Sequence, residues 1–263
     1  MNIHNDIDEN IKFLAKSEIR LKILCELHKK PNDVRGLVKK TEITYSSVSS
    51  NLIKLERHNY ITKVNKLYHI NPMSEIYFTT FMDFKNTVDL INHYGGFWDK
   101  HNLGQLSLDS VNNITDLQDS ELVEATPVDI FKTHNTIKKQ LMRSKSIKAI
   151  FPYLHPEYPR IIEKILKNNG SLELIMPEPV YREIIGRISK KVREKSLKNN
   201  KLKIHIFDDD LDLYLTICDG NMSLGLFKND GSFDQNRILI SNSARSHLWA
   251  EELFRYIRNQ VVE

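Results

Sequence analysis

The chain of 263 residues has a formal net charge of +4 and 27% charged residues, values typical of one or two globular domains. No apolar run approaches the roughly 20 residues of a membrane-spanning helix, and the first ten residues are acidic where a signal peptide would be basic, so we expect a cytoplasmic protein. Cys25 and Cys218 lie far apart within apolar patterns, which predicts buried, reduced thiols rather than a disulfide or a metal site.

Positive charge is concentrated near the start of the chain. Residues 12–70 contain 13 Lys or Arg and 5 Asp or Glu, a net charge of +8, whereas the chain beyond residue 75 has 25 of each sign. Basic side chains concentrated in one part of a chain are typical of a surface that meets a polyanion. We therefore expect the first quarter of the chain to bind nucleic acid and the remainder to have a different role.

Two helices are predicted at the start of this basic segment. Apolar residues recur at helical spacing between Ser17 and Leu27, Ser17 can cap the helix, and Pro31 follows its end. Asp33 can cap a second, short helix that should end near Thr41. These two helices provide an apolar support for the segment that follows.

A third helix is predicted from Thr44 to Arg57, and its first half is rich in hydroxyl side chains. Ser and Thr are mediocre helix formers, because their side chains compete for backbone hydrogen bonds. Val48, Leu52 and Leu55 form one narrow apolar stripe, which leaves most hydroxyl groups outside the predicted core. We interpret the outer face of this helix as a contact surface, with an ordinary polar surface helix as the alternative.

Two short β-prone runs surround Asn65-Lys66 after the third helix, a pattern that predicts a hairpin with a basic tip. Asn59, which precedes the hairpin, stands where a helix end favours Gly or Asn in the left-handed conformation. Three helices and a basic ribbon form the winged helix-turn-helix arrangement, in which the third helix enters the major groove of DNA. We predict such a DNA-binding domain over residues 10–72.

The candidate DNA contacts fall into two groups. Short hydroxyl side chains can reach base edges without filling the groove, so the base-facing candidates are Thr44, Tyr45, Ser46, Ser47 and Ser50. Basic side chains contact phosphates and supply affinity without sequence choice, so the phosphate-facing candidates are Lys54, Arg57, Lys63 and Lys66. The partner predicted from these residues is double-stranded DNA.

A connector helix is predicted over residues 73–100, with a break near Gly95-Gly96. Its apolar residues repeat in alternating steps of four and three, a heptad-like seam that consists of Tyr77, Phe81, Phe84, Val88 and Ile91. The helix can pack on its own domain, but the spacing also suits pairing with a second copy of the chain. We expect it to form a homodimer.

Strand and helix patterns alternate in the remainder, residues 101–263. In chain order they occupy residues 147–153, 158–167, 172–176, 180–198 and 202–207. Asp219-Gly220-Asn221 predicts a hairpin, and an amphipathic helix follows at residues 244–262. The alternation implies an α/β fold: a mixed, largely parallel sheet flanked by helices behind the N-terminal winged helix-turn-helix. We expect this part to be an effector-binding sensor domain.

Four residues are candidates for the effector site. Tyr153 and His155 follow the first predicted strand, and Met176 and Glu178 follow the next. Ligands of open α/β sheets bind beyond the carboxyl ends of the strands, where a small molecule could contact these side chains. The alternative for His155 is a loop histidine with satisfied hydrogen bonds.

Signatures of catalysis are scarce in the sequence. It has no phosphate-binding glycine loop, no nucleophile elbow and no paired-His metal spacing, so we predict no enzyme activity, no cofactor and no metal. The acids at 208–212 could bind a hard cation. The favoured alternative is a solvated strand entry, because Asp212, Tyr214 and Thr216 alternate with Leu211, Leu213 and Leu215. The competing hypotheses are a phosphodiesterase or nucleotide-acting enzyme that the winged helix targets to nucleic acid, and an RNA-binding or adaptor module.

Several segments resemble a known family of regulators. The most specific is Ser-Leu-Gly-Leu-Phe at 223–227 with Asn-Asp-Gly at 229–231, and the others lie at 97–101, 117–122, 129–131, 239–241 and 249–256. These segments resemble archaeal winged-helix transcriptional regulators, found mainly in methanogens, whose effector region is similar to the middle domain of methanogenesis regulators of the Fil type. The resemblance implies a sequence-specific DNA-binding regulator, a homodimer, with a non-catalytic α/β sensor domain.

Overall fold

The computed structural model describes residues 9–261, except for the side chain of Asn10. The acidic residues 1–8, on which the expectation of no signal peptide rests, lie outside this part, as do Val262 and Glu263. The described chain divides into two compact units that meet between Val88 and Asp89. None of the described helices combines the length and the hydropathy that a bilayer span requires.

The first unit contains four helices and a two-stranded ribbon, followed by a long helix that contains the division between the units. In chain order the elements are α1 (Glu9–Ala15), α2 (Glu18–Lys29), α3 (Val34–Thr41), α4 (Tyr45–Arg57), β1 (Ile61–Val64), β2 (Leu67–Ile70) and α5 (Pro72–His93). This order confirms the winged helix-turn-helix predicted from the sequence. The sequence pattern does not predict α1, whose short apolar side includes the buried Leu14.

Side-chain caps begin three helices of this unit. Ser17, Asp33 and Thr44 each accept a hydrogen bond from the backbone N–H three residues later. Such a cap satisfies an N–H group that has no partner in the first helical turn and contributes about 1 kcal/mol. Glu42, between α3 and α4, has a φ of 58° in the left-handed region. Cap and turn together determine where α4 begins and which face it presents outward.

Helix α4 is held by the apolar stripe predicted from its sequence. Val48, Leu52 and Leu55 are at most 1% exposed and pack in one core with residues of α2, α3 and the ribbon. Burial of a Val or Leu side chain contributes about 1.5–3 kcal/mol, which exceeds the few tenths that a Ser costs relative to Ala in a helix. Packing therefore offsets the weak helix propensity of the serines.

The ribbon is a tight hairpin with Ile61 opposite Ile70 and Val64 opposite Leu67. The two residues of its turn, Asn65 and Lys66, both have positive φ, at 48° and 71°. Positive φ at both central positions is the signature of a type I′ turn, whose twist matches that of the flanking strands. The predicted hairpin with a lysine at its tip is therefore confirmed, and we call it the wing (residues 61–70).

The second unit contains a seven-stranded sheet with the strand order β3-β9-β8-β7-β4-β5-β6. Its strands are β3 (Glu121–Glu124), β4 (Ser146–Ile150), β5 (Ser171–Pro177), β6 (Leu202–Phe207), β7 (Leu213–Cys218), β8 (Asn221–Leu226) and β9 (Arg237–Ser241). Its helices are α6 (Gly95–Trp98), α7 (Leu108–Asn112), α8 (Lys132–Arg143), α9 (Tyr158–Lys167), α10 (Glu178–Arg187), α11 (Lys190–Lys198) and α12 (Ala244–Arg258), with a 3-10 turn at Ile114–Leu117.

The sheet is mixed and flanked by helices, as predicted, but it is less parallel than expected. Strands β4, β5 and β6 are parallel, whereas the other four pairings are antiparallel. The tight turn at Asp219-Gly220 joins β7 to β8, and so short a connection allows no parallel crossover. Parallel order is confined to the strands that long helical connections separate.

Three local predictions differ from the structure. The helix expected over 180–198 is two helices, α10 and α11, because Ile188 leaves the helical conformation and is buried in the core. The solvated strand entry at Asp212, Tyr214 and Thr216 is wrong, since Tyr214 and Thr216 are at most 1% exposed within the central strand β7. The last helix ends at Arg258.

Apolar layers cover both faces of the sheet. Trp249, Leu253 and Phe254 of α12 pack on one face, and residues of α8, α9 and α10 pack on the other. Because both faces are covered, β7 has no solvent-facing side chain along its whole length. The loop at 151–157, which leaves the end of β4, lies at the edge of the second layer, and this places it beside a surface cavity.

Candidate nucleic-acid interface and ligand cavity

The outer face of helix α4 presents most of the side chains predicted to contact DNA. Tyr45 is 58% exposed, and Ser46, Ser50, Lys54 and Arg57 are exposed as well. Ser46, Ser50 and Lys54 follow one another at intervals of four residues, so they lie in a row along the helix. This face combines short hydroxyl groups near the N-terminus with cations near the C-terminus.

Thr44 and Ser47 have a second role, which the sequence does not reveal. The Thr44 hydroxyl caps the helix and donates to the Ser47 hydroxyl over 2.9 Å, and Ser47 is only half-exposed. Asn51, which is buried, donates to the backbone carbonyl of Ser47 over 2.8 Å. These bonds order the first turn of the helix, so the freer hydroxyl groups for an external partner are those of Ser46 and Ser50.

Some cations of the first unit are paired with carboxylates. In α1 and α2, salt bridges join Lys12 to Glu9, Lys22 to Glu18, and Lys29 to Glu26. In the described part of the chain, the salt bridges include none to Lys54, Arg57, Lys63 or Lys66. Lys63 lies over the ring of Tyr68, 5.3 Å from its centroid. Among the described residues, cations without a salt bridge therefore include all four on α4 and the wing, together with Lys16, Arg20, Lys30, Arg35 and Lys39 elsewhere in the unit.

Apolar side chains extend this surface beyond the predicted set. Ile53 is 55% exposed on α4, and Val64 and Leu67 are exposed beside the turn of the wing. An aliphatic side chain in the major groove can contact the methyl group of thymine. The sequence signal that could have identified Ile53 is its position. Ile53 is an apolar residue of α4 that falls outside the spacing of the buried stripe Val48, Leu52 and Leu55.

A cavity of about 270 Å³ opens at the surface of the second unit, beside the loop after β4. Tyr153 and His155 line it, together with His134 of α8 and Phe233 of the segment before β9. Of the other two predicted effector residues, Met176 is fully buried between the sheet and its helices, and Glu178 pairs with Arg182 at the start of α10. The described lining of the cavity includes neither of them.

Aromatic rings form one wall of the cavity. Tyr153 lies 4.4 Å from Phe233 between ring centroids, and its hydroxyl accepts a hydrogen bond from Tyr158 over 3.3 Å. Burial raises the pKa of Tyr153 to about 12, so the phenol is neutral at physiological pH. A neutral phenol and a phenyl ring form a wall suited to an apolar or aromatic surface.

Two histidines of the cavity lining, His134 and His155, lie beside Glu157, which is not itself among the described lining residues. The rings of His134 and His155 stack at a centroid distance of 3.8 Å, and His134 Nε2 lies 2.7 Å from Glu157 Oε2. Lys138 donates to the second oxygen of Glu157. Hydrogen bonds from Lys138 and His134 lower the pKa of Glu157 to about 2, whereas burial and the neighbouring His134 lower the pKa of His155. A neutral imidazole therefore lines the cavity, and an ionised carboxylate lies behind it.

A buried contact between His101 and Asp234 lies beside the cavity. His101 Nε2 lies 3.2 Å from Asp234 Oδ2, and Arg237 Nη1 lies 3.6 Å from the same oxygen. Asp234 and Arg237 also line the cavity. The pair joins residues 133 positions apart, so the segment at 97–101 that carries the family resemblance meets the chain just after the Asn-Asp-Gly of 229–231. Sequence separation of this size leaves no local pattern from which the contact could be predicted.

Two family models match the chain. Residues 130–260 match the middle domain of the methanogenesis regulatory protein FilR1, and residues 17–63 match the bacterial regulatory proteins of the arsR family. Along the chain, the match to an arsR-type helix-turn-helix therefore precedes the match to the FilR1 middle domain. This confirms the family resemblance predicted from the sequence. The FilR1 middle domain includes the cavity with His134, Tyr153 and His155, and the arsR-type match includes all of helix α4.

The methanogenesis regulatory protein FilR1 of Methanothrix harundinacea (strain 6Ac) is 24% identical over 254 residues. The match covers 95% of this chain but 57% of that protein, so the chain spans little more than half the length of this relative. Two solved structures are similar at low level. The archaeal chromatin protein TrmBL2 has a TM-score of 0.42 at 12% identity and covers 97% of this chain and 99% of its own.

The apo form of the S-adenosylmethionine-dependent methyltransferase SibL has a TM-score of 0.26 at 8% identity and covers 76% of this chain and 62% of its own. TM-scores below 0.5 do not establish a common fold. Neither structure therefore informs the function of this chain. The evidence for its function is its own surface and the two family matches.

Proposed function

We propose that this protein is a transcriptional regulator that binds specific sites in double-stranded DNA as a homodimer and responds to a small molecule bound in its second unit. The observation that carries the proposal is the outer face of α4 with the wing: exposed hydroxyl groups and unneutralised cations on the helix that a winged helix-turn-helix inserts into the major groove.

The chemistry of the side chains separates base contacts from phosphate contacts. Thr44, Tyr45, Ser46, Ser47 and Ser50 face the bases, and Ser46 and Ser50 have the freer hydroxyl groups. Lys54, Arg57, Lys63 and Lys66 face phosphates and provide the salt-dependent share of the affinity. Ile53 joins the base-facing group as an apolar contact.

The homodimer is proposed to form through the exposed side of helix α5. Of the seam predicted from the sequence, Phe81 and Ile91 pack on the cores of their own units, whereas Tyr77, Phe84 and Val88 are exposed. Met73 and Ile76 are exposed on the same helix and lengthen the row. Pairing of two such rows buries apolar surface and provides two copies of α4, which can occupy successive major-groove faces about 34 Å apart.

The effector is proposed to bind in the cavity beside the loop after β4. Tyr153 and His155 remain the central candidates, with Phe233 and His134 as additional contacts, while the positions of Met176 and Glu178 give them no part in this cavity. A volume of about 270 Å³ accommodates a small metabolite or part of a larger one.

Selection of bound sequences from random duplex DNA tests the central proposal. Enrichment of a defined, two-fold symmetric motif is the expected result, and addition of a small-molecule cell extract should change the amount of DNA retained. Structured RNA that competes as well as the selected duplex at fixed salt would favour the RNA-binding hypothesis, and no enrichment from either pool would contradict the proposal. Turnover of a phosphoester by the full chain would revive the enzyme hypothesis.

Light scattering tests the dimer. Phe84 is 65% exposed on α5, and Phe84→Glu should convert a dimer into a folded monomer, because two carboxylates would face each other in the seam. Leu248→Glu is the matched control, since Leu248 is 63% exposed on a different helix, α12. A wild-type protein that is monomeric both free and on DNA would refute the dimer.

A further inference from the structure

Three metal-ligating side chains lie together beside the cavity in the second unit, and two of them, His134 and His155, line it. The ligand atoms of His134, His155 and Glu157 all lie within 4.8 Å of one another, and all three side chains are partly buried. His134 comes from helix α8, whereas His155 and Glu157 come from the loop between β4 and α9. The group is thus assembled by the tertiary fold and has no short spacing motif in the sequence.

We propose that His134, His155 and Glu157 bind one divalent first-row transition-metal ion, of the Zn²⁺ type, at the edge of the cavity. Two imidazole nitrogens and one carboxylate oxygen form a donor set of borderline softness, which suits Zn²⁺ and its neighbours better than Ca²⁺ or Mg²⁺. Three protein ligands also leave a coordination position open, as in zinc sites that bind a further molecule.

The separations fit an ion after small side-chain movements. With zinc–nitrogen bonds of about 2.0–2.1 Å, two ligands of a tetrahedral ion lie about 3.4 Å apart. His134 Nε2 and Glu157 Oε2 are 2.7 Å apart, which is the distance of a hydrogen bond whose proton an ion would replace. The remaining separations, up to 4.8 Å, must shorten by about 1.4 Å.

Metal binding has a conformational consequence at the two histidines. An imidazole binds a metal through a lone pair in its ring plane, so two rings stacked at 18° must rotate apart to share one ion. The Nδ1 atom of His155 accepts a long hydrogen bond of 3.2 Å from the backbone N–H of Glu157, and this bond competes for a lone pair. Occupancy of the site therefore changes the loop after β4.

One neighbouring cationic side chain bears on metal binding at this site. Lys138 opposes the ion, because its ammonium group donates to Oε1 of the same carboxylate. The opposing charge yields a sharp test, since its removal should strengthen metal binding while the loss of a ligand weakens it.

Equilibrium dialysis of the untagged full chain against Zn²⁺ measures the stoichiometry and the affinity. We expect one tightly bound ion per chain in the wild type. His134→Ala, His155→Ala and Glu157→Gln should each lower the affinity more than about 100-fold, beyond the 10–100-fold that loss of an outer hydrogen-bond partner costs. Lys138→Gln should raise the affinity at least about fivefold, since a unit charge about 4 Å away acts with about 1 kcal/mol even in water.

His205→Ala is the matched control. His205 lies 3.0 Å from Glu173 and is partly buried, but in the described part of the chain this pair has no third metal-ligating side chain. The His205→Ala variant should bind zinc with the affinity of the wild type. Co²⁺ provides a second measurement, because visible absorption bands of the bound ion should appear in the wild type and disappear in the three ligand variants.

Thermal unfolding without metal establishes whether each variant is folded, and a variant that unfolds early is replaced by the milder His134→Gln or His155→Gln. Equal zinc affinity in the wild type and the ligand variants would overturn the proposal, as would affinity unchanged or lowered by Lys138→Gln. The site does not rest on the proposed DNA binding, because every measurement uses the protein without DNA. A chain that selects a DNA motif but binds no metal would refute the site alone.

Discussion

Replacement of Lys66 by Gly separates the folding of the wing from its contact with DNA. Lys66 has a φ of 71° at the second position of a type I′ turn, and it is exposed. The left-handed conformation costs an L-residue roughly 1–2 kcal/mol, and Gly adopts it without this cost, although Gly also loses more entropy on folding. Asn-Gly is the most favoured sequence for this turn. We expect Lys66→Gly to leave stability unchanged or to raise it by up to about 1 kcal/mol.

The same substitution removes one cation from the surface that we propose faces DNA. Each phosphate contact contributes about 0.9 to the slope of log K against log salt, so the slope should fall by about 0.9 for each wing in the complex. A dimer with two wings on one duplex loses about 1.8. When salt rises from 50 to 200 mM, each phosphate contact contributes a factor of about 3.5 to the loss of affinity. Loss of one contact should therefore make this decrease in affinity about 3.5-fold smaller, equally for specific and random duplexes.

Fluorescence anisotropy with labelled duplex at several salt concentrations measures the slope, and urea unfolding measures the stability. Lys66→Arg is the matched control: it keeps the charge and the backbone cost, so neither quantity should change. Lys66→Ala is a poorer probe, because Ala retains a Cβ at positive φ. An unchanged slope for Lys66→Gly would refute the phosphate contact, and a marked loss of stability would refute the account of the turn.

The other predictions concern single side chains. Ser46→Ala should change the ratio of affinities for specific and random duplex without changing the salt slope, and an equal loss on both duplexes would contradict a base contact. Phe84→Glu should abolish the dimer and weaken binding to a two-site duplex more than to a half-site. In the native protein, a thiol reagent at pH 8 should leave Cys218 unmodified, because it is buried and its pKa is raised to about 12. The unfolded thiol loses its proton from about pH 9, so Cys218 should lower the stability as pH rises from about 9 to 12, and a denaturation series that shows no such decline would contradict this sign.

The local elements of the first unit could be predicted because their causes are local. Ser17, Asp33 and Thr44 have side chains that can cap a helix wherever they precede one, and Asn65 is favoured at positive φ in a two-residue turn. The spacing of Val48, Leu52 and Leu55 fixes one buried face by helix geometry alone. These patterns act over at most about ten residues, so the sequence reveals them directly.

The exposed row on α5 shows where such patterns stop being sufficient. A heptad-like seam identifies apolar residues with a common face, but not which core they join. Phe81 and Ile91 are partly buried by their own units, while Phe84 is left exposed. The difference depends on neighbouring elements, which the spacing does not contain.

The sequence by itself determined the winged helix-turn-helix, the concentration of positive charge in residues 12–70, and the presence of a second, α/β unit. Only the tertiary structure decided the pairing of the sheet and the composition of the cavity. His134 meets His155 and Glu157 because α8 packs beside the loop after β4, and His101 meets Asp234 across 133 residues. Such contacts follow from packing of apolar faces that is cooperative over the whole unit, so no short stretch of sequence encodes them.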